Sequence, residues 1–380
     1  MNNYNNIYYI MENKKIRVAI THGDTNGIGY ELIFRTFAEP EILELCTPII
    51  YGSPKVAAYH RKALNMQANF TIIADAAEAQ DDRINMIATF DEEVKVDMGL
   101  DTPEAGKAAL AAMDRAIADF KDGHFDVLVL APQSSDNIKP AEFQFPGNFE
   151  YVETCLGDGR KGLRMMVNDR MRMVLLTDDV PLKDVAGAVT AERLSDKLTA
   201  FHTALRRCFR VSSPRIAVLS LNPDGANGGK EEKEVIMPVI GQLADKGINV
   251  FGPYDAGTFF GQGDYEAFDG VLAMYHDQGV APLLALSPER LVNCMAGLPV
   301  VVASADMNPH YEIAGLGKAN ETAFRQAIFT AIDIFRNGKD YDEPYANPLP
   351  KLYHEKRDES EKVRFSIPKK HENAIKERQQ

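Results

Sequence analysis

Short apolar runs alternating with amphipathic helical stretches predict an α/β protein with a mostly parallel sheet covered on both faces. Three observations carry that expectation. The runs are rich in Val, Ile and Leu on both implied faces, as buried parallel strands are. Helical spacing of apolar residues lies between most of them. Several runs also stop on a cluster of Asp, Asn, Ser or His, and open α/β sheets build ligand sites outside the carboxyl ends of their strands.

The strand candidates, in order, are Ile16–Thr21, Pro48–Tyr51, Val127–Leu130, Met173–Leu176, Arg215–Ser220, Gly270–Met274 and Pro299–Ala303. Thr102, Pro103 and Glu104 read as the N-cap and first turn of a helix that buries Leu110, Met113, Ile117 and Phe120 and stops at Gly123. Leu194, Leu198, Phe201 and Leu205 mark a second helix face. Asn320 is placed to cap a third, with Phe324, Ile328, Ala331 and Phe335 inward and Gly338 after it. Residues 1–13 and about 345–380 read as flexible extensions. The tail is rich in Lys, Glu and Arg and has too little apolar surface to offset its ordering entropy.

Composition narrows the function classes. The chain has 380 residues, which suggests two domains. Its apolar and charged content is that of an ordinary globular protein, and no apolar run approaches the roughly 20 residues of a membrane helix. The first thirteen residues lack a basic region and a small-residue cleavage site, so no secretory signal is read. Cys46, Cys155, Cys208 and Cys294 show no paired spacing, which argues against a disulfide framework and fits a cytoplasmic protein. A net charge of −13 disfavours nucleic acid, whose phosphates need a basic face.

Four strand-end clusters stand out, and each has an ordinary explanation beside the functional one. THGDTNGIGYE, residues 21–31, places glycines at 23, 27 and 29, which is not the dinucleotide fingerprint; a tight strand-to-helix turn accounts for them. LNPDGANGG, residues 221–229, carries Asp224 in a turn, where turn stabilisation competes with ligand binding. LLTDDVPLKD, residues 175–184, carries Asp178 and Asp179, where helix capping is the competing role. LAMYHDQG, residues 272–279, carries His276, and a lone strand-end histidine is more often structural than a ligand.

Taken together, VAITHGDTNGIGYELI, FPGNFEYVE, LNPDGANGG, LAMYHDQGVAP, VNCMAGLPVV and IAGLGKAN resemble the 4-hydroxythreonine-4-phosphate dehydrogenase family of vitamin B6 biosynthesis, over roughly residues 15–338. The resemblance implies a two-domain α/β/α fold of the isocitrate/isopropylmalate dehydrogenase type. It divides the chain into 14–138 with 300–344, and 139–299, the latter carrying most metal and substrate positions and the dimer contacts. It further implies a homodimer whose active site is completed by the neighbouring subunit, and a small hydroxy-acid substrate. NAD would accept hydride from a secondary alcohol, a divalent metal would polarise the ketone, and decarboxylation would follow.

Residue by residue, the family's three metal-binding histidines fall on His276, Asp224 and Asp179. A His-plus-two-carboxylate set favours Mg²⁺ or Mn²⁺ over Zn²⁺. The substrate segment G-H-T-E reads Gly147, Asn148, Phe149, Glu150. The family's substrate lysine falls on Leu284, its arginine after G-L-P falls on Val302, and its asparagine is kept as Asn293. The P-x-[HN]-K segment reads Pro132, Gln133, Ser134, Ser135, without its lysine. For the cofactor, H-G-T reads Met307, Asn308, Pro309, while Gly315, Gly317 and Asn320 are intact, although glycines and an asparagine also simply shape and cap a helix start. Phosphate is held by charge-assisted hydrogen bonds worth about 1.5–3 kcal/mol each, so losing two cations removes the usual way of holding it. Two readings follow. One is a metal- and NAD-dependent dehydrogenase with an altered substrate site. The other is a non-catalytic paralogue that keeps fold and dimer as a ligand- or partner-binding protein.

Overall fold

Each predicted strand forms, and five more join them. The computed structural model describes residues 15–90, 94–134, 136–137 and 145–346. The strands are β1 Ile16–Thr21, β2 Cys46–Gly52, β3 Thr71–Ile73, β4 Asn85–Ala88, β5 Val127–Leu130, β6 Leu163–Val167, β7 Arg172–Leu175, β8 Arg215–Leu219, β9 Asn249–Tyr254, β10 Gly270–Ala273, β11 Val292–Ala296 and β12 Val301–Ala305. They make one sheet in the order β3-β4-β2-β1-β5-β12-β11-β6-β7-β10-β8-β9. Pairing is parallel except in the middle, where β11 runs antiparallel to β12 and β6, and β6 antiparallel to β7. The expectation of a mostly parallel α/β sheet therefore holds, with an antiparallel centre that periodicity did not reveal.

The helices of eight or more residues are α1 Gly29–Thr36, α2 Pro54–Ala63, α3 Pro103–Lys121, α4 Asn148–Leu156, α5 Ala191–Phe209, α6 Met237–Asp245, α7 His276–Leu286 and α8 Thr322–Ala346. Thr102 caps α3 by accepting from the Ala105 N–H, with Pro103 in the first turn. Asn320 accepts from the Thr322 N–H at 2.9 Å at the start of α8. Gly338 does not end α8 as expected; the helix runs through it to Ala346. The reason is packing. A Cβ at residue 338 would lie 3.3 Å from the Arg207 guanidinium, so glycine here gives that side chain room against the helix. The described residues up to Lys339 belong to one compact unit, and Asp340 onward to another. Apart from Tyr345 and Ala346, the expected extensions lie outside the described residues.

Alternation along each strand divides the core between two faces. On one face, Val18, Ile20, Val129 and Leu272 pack with Leu32, Leu198, Phe201, Val239, Phe324 and Ile328 from α1, α5, α6 and α8 in a single cluster. Phe201 lies so close to β10 that a Cβ at Gly270 would sit 2.4 Å from its ring, which requires glycine there. The opposite face carries two clusters. One joins Leu128, Leu130, Met295 and Val302 to α3 and α4. The other joins Met166, Met173, Ala217 and Val271 to Val280 and Leu283 of α7. Where the first cluster gives way to the second, across β12, β11 and β6, the sheet presents polar residues.

Candidate active site

Strand register determines which side chains meet at that break. Val302 pairs with Leu128 and Met295, and Met295 pairs with Arg164. Directly opposed residues share a face, so Leu128, Val302, Met295 and Arg164 form one row. The next row is Leu130, Ser304, Asn293 and Met166. Above these rows lies a cleft of about 270 Å³, walled by Arg164, Asn293 and Ser304 from the sheet, by Asp306 just after β12, by Gln133 from the β5 end, and by Asn148, Phe149 and Glu150 from the start of α4.

Three buried polar atoms in the cleft wall have no hydrogen-bond partner among the described residues: Arg164 Nε, Asn293 Oδ1 and Gln133 Oε1. The other ends of two of these side chains are held. Asn293 Nδ2 donates to Asp306 Oδ1 at 2.7 Å, and Gln133 Nε2 donates to Asn148 Oδ1 at 3.0 Å. Arg164 lies over the Phe149 ring, 5.6 Å from its centroid. A buried donor or acceptor without a partner costs about 1–3 kcal/mol, and natural structures keep few of them. One donor and two acceptors on residues that line one cleft are what a polar ligand would satisfy.

Of the five expected substrate positions, the structure brings Asn148, Phe149 and Asn293 to this cleft. Val302 is fully buried in the core beneath it. Leu284 lies on α7 with 37% of its surface exposed, outside the cleft lining. Arg164 was absent from the sequence expectations. A strand reading LRMMV carries no β-branched run to announce itself, and an arginine inside it looks like a surface residue.

The expected metal positions follow adjacent strands. β7, β10 and β8 are parallel neighbours, and their carboxyl ends lead to Asp179, His276 and Asp224. Delivery to one edge of the sheet does not make them converge. Among the described residues, no group of three His, Cys, Asp or Glu side chains is arranged to hold a metal ion. His276 opens α7 and pairs its Nδ1 with Asp277 Oδ1 at 2.8 Å. Asp224 sits in a left-handed turn at φ 71°, and Asp179 is exposed. Within one subunit these residues do not fit a metal.

The loop holding Asp224 is clamped by Glu232, which the sequence reading also missed. Its carboxylate accepts from the Asn222 N–H at 2.7 Å, from Asn222 Nδ2 at 2.9 Å and from the Gly229 N–H at 2.6 Å. Burial raises the Glu232 pKa, but the hydrogen bonds from Asn222 and Gly229 outweigh it and hold the group below its ordinary value. Gln278 of the YHDQG segment stitches β10 to β8, accepting from the Met274 N–H and donating to the Ser220 carbonyl, each at 2.7 Å.

At the expected cofactor loop, Gly315 and Gly317 both adopt positive φ. A Cβ at Gly315 would fall 2.6 Å from Met98 Sδ. Arg35 donates to the Gly317 carbonyl at 2.5 Å, and Asn320 is engaged with Thr322. Turn geometry and capping account for all three residues, so the loop by itself defines no dinucleotide site. It is tied to the first strand end by Tyr311, whose hydroxyl donates to Asp24 Oδ2 at 2.8 Å.

Comparison with known proteins gives the family and the fold. Residues 44–331 match the family model described as pyridoxal phosphate biosynthetic protein PdxA. A 4-hydroxythreonine-4-phosphate dehydrogenase from Bacteroides thetaiotaomicron is 51% identical over 358 residues, covering 93% of this chain and 98% of the relative. The protein of the same name from Geobacter metallireducens is 33% identical, covering 86% and 97%. Among solved structures, a 4-hydroxythreonine-4-phosphate dehydrogenase from Klebsiella pneumoniae superposes with a TM-score of 0.72 at 27% identity, covering 84% of this chain and 98% of that one.

Proposed function

The chain belongs to the family of pyridoxal phosphate biosynthetic protein PdxA, and on that premise we propose that it is a dehydrogenase of a small phosphorylated hydroxy-amino acid of the 4-hydroxythreonine 4-phosphate type. The observation that carries this reading is the meeting of Asn148, Phe149 and Asn293 at a cleft that holds three partnerless buried polar atoms. Asn293 Oδ1 is an acceptor for the substrate's hydroxyl or ammonium, and Gln133 Oε1 is a second. The carboxylates of Glu150 and Asp306 suit a substrate that carries an ammonium as well as an anion.

A nicotinamide cofactor, when bound, accepts the hydride; it is proposed from family membership, with Gly315, Gly317 and Asn320 as its positions. A divalent ion, Mg²⁺ or Mn²⁺ before Zn²⁺, is proposed on the same ground. Because one subunit does not assemble Asp179, Asp224 and His276 around an ion, this part of the reading requires a homodimer in which the neighbouring subunit completes the set. No helix among the described residues is long and apolar enough to cross a membrane, and a cytoplasmic location belongs to the same proposal.

The test is steady-state NADH formation by the purified full chain with Mn²⁺, NAD and 4-hydroxythreonine 4-phosphate. Turnover that falls at least tenfold in Asn293→Ala supports the proposal. Absence of NADH formation with that substrate and with a panel of unphosphorylated hydroxy acids overturns it. The same absence, with a folded dimer that still binds 4-hydroxythreonine 4-phosphate, would favour the non-catalytic paralogue.

A further inference from the structure

We infer that Arg164 is the residue that holds the substrate's phosphate in this chain, from a strand different from the one the family's arginine occupies. The inference rests on the dehydrogenase reading for the identity of the ligand, but its geometry stands independently. In the family pattern the arginine after G-L-P falls on residue 302, here a valine fully buried in the core. Val302, Met295 and Arg164 are successive members of one cross-strand row on β12, β11 and β6. Neighbouring strands lie about 4.8 Å apart, so Arg164 starts roughly 10 Å from residue 302 on the same sheet face. A long guanidinium side chain can therefore present its charge over the same cleft from the opposite wall.

Three features point to a ligand rather than to a structural ion pair. Arg164 makes no hydrogen bond or ion pair with any described residue, and its Nε is buried and partnerless in the cleft wall. Its guanidinium lies over Phe149, the residue at the position of the family's threonine. The two departures thus form one unit, an aromatic platform and the cation resting on it. The cleft wall also includes Gly147 and Asn148 at the start of α4, where no side chain caps the helix. Glu150 and Asp306 are the acids of this cleft. Asp306 is engaged by Asn293, and the two leave Arg164 as the cation of the lining. Guanidinium presents a planar fork that matches two phosphate oxygens at once, which makes one arginine a reasonable replacement for the missing lysine and arginine at 284 and 302.

The test compares wild type, Arg164→Met and Arg164→Lys. NADH formation is measured against 4-hydroxythreonine 4-phosphate, and inorganic phosphate is titrated as a separate probe by calorimetry. Arg164→Met should raise KM roughly 100-fold with kcat changed far less, because a charge-assisted phosphate contact is lost. Arg164→Lys should recover part of that loss. Thermal unfolding of each variant separates misfolding from lost binding. If wild type turns over and Arg164→Met keeps its KM, the inference fails while the dehydrogenase reading stands. If wild type is inactive but phosphate binds it and not Arg164→Met, the phosphate site stands and the dehydrogenase reading fails. Equal phosphate affinity in both proteins, with no turnover, removes both.

Discussion

The hydroxyl of Tyr311 donates to Asp24 Oδ2 at 2.8 Å, joining two residues 287 positions apart in the chain. Asp24 lies in the first strand-end cluster, and Tyr311 opens the loop that carries Gly315 and Gly317. Asn137 Nδ2 donates to the same carboxylate oxygen at 2.6 Å, and the Asn26 N–H donates to the other at 2.7 Å. Burial is the main cause that raises the Asp24 pKa, and these donors partly offset it.

Tyr311→Phe should therefore destabilise the fold by about 1–3 kcal/mol, the usual cost of a hydrogen bond to a charged, buried group. Denaturant unfolding reads that loss. The KM for NAD should rise in the same variant, since the loop loses its tie to the first strand. An unchanged unfolding midpoint would show that the contact does not hold the loop.

His22 gives the protein a defined acid sensitivity. The ring is fully buried, stacked on Tyr30 at 5.3 Å, and that burial pushes its pKa from 6.5 down to about 4. Between those values the unfolded chain binds the proton and the folded one does not, so stability rises with pH through this window and is lost on acidification. Wild type should lose about 3 kcal/mol more than His22→Leu between pH 7 and pH 4. The raised pKa of Asp24 acts with the opposite sign, favouring the folded state at low pH, and is common to both proteins. Urea unfolding across the pH range measures the difference directly.

Glu232 should be the clamp of the 221–229 loop. Glu232→Gln replaces an oxygen that faces two donors with an amide that repels at least one of them. A loss of about 2–3 kcal/mol is expected. Hydrogen exchange should speed up at the Asn222 and Gly229 amides in particular; exchange spread evenly over the chain would contradict a local clamp.

Metal binding separates a shared site from none. Asp224 occupies the left-handed region at φ 71°, which Asn tolerates as well as Asp, so Asp224→Asn removes charge without straining the turn. Calorimetric titration should give Mn²⁺ binding to the dimer, weakened at least tenfold in Asp224→Asn and in His276→Ala. Wild-type dimer that binds no Mn²⁺ would remove Asp179, Asp224 and His276 as ligands.

Much of the scaffold was legible in the chain itself. Apolar runs such as Ile16–Thr21 and Val127–Leu130 are bounded by local signals, and the Thr102-Pro103 start of α3 is a capping pattern that needs no tertiary contact. The missed strands tell the opposite story. β6 and β11 contain Arg164 and Asn293 among methionines and small residues, because their polar members face a cleft and not a core.

Family membership and the alternation of strands and helices were determined by the residues in order. Tertiary structure alone decided that Arg164 stands in the same row as Val302, that Asn293 and Gln133 keep unsatisfied oxygens, and that no three-ligand metal group forms among the described residues. The physical reason is range. Periodicity, capping and turn chemistry act over a few neighbouring residues, whereas cross-strand register and burial are set by hydrogen bonds and packing between segments far apart in the chain.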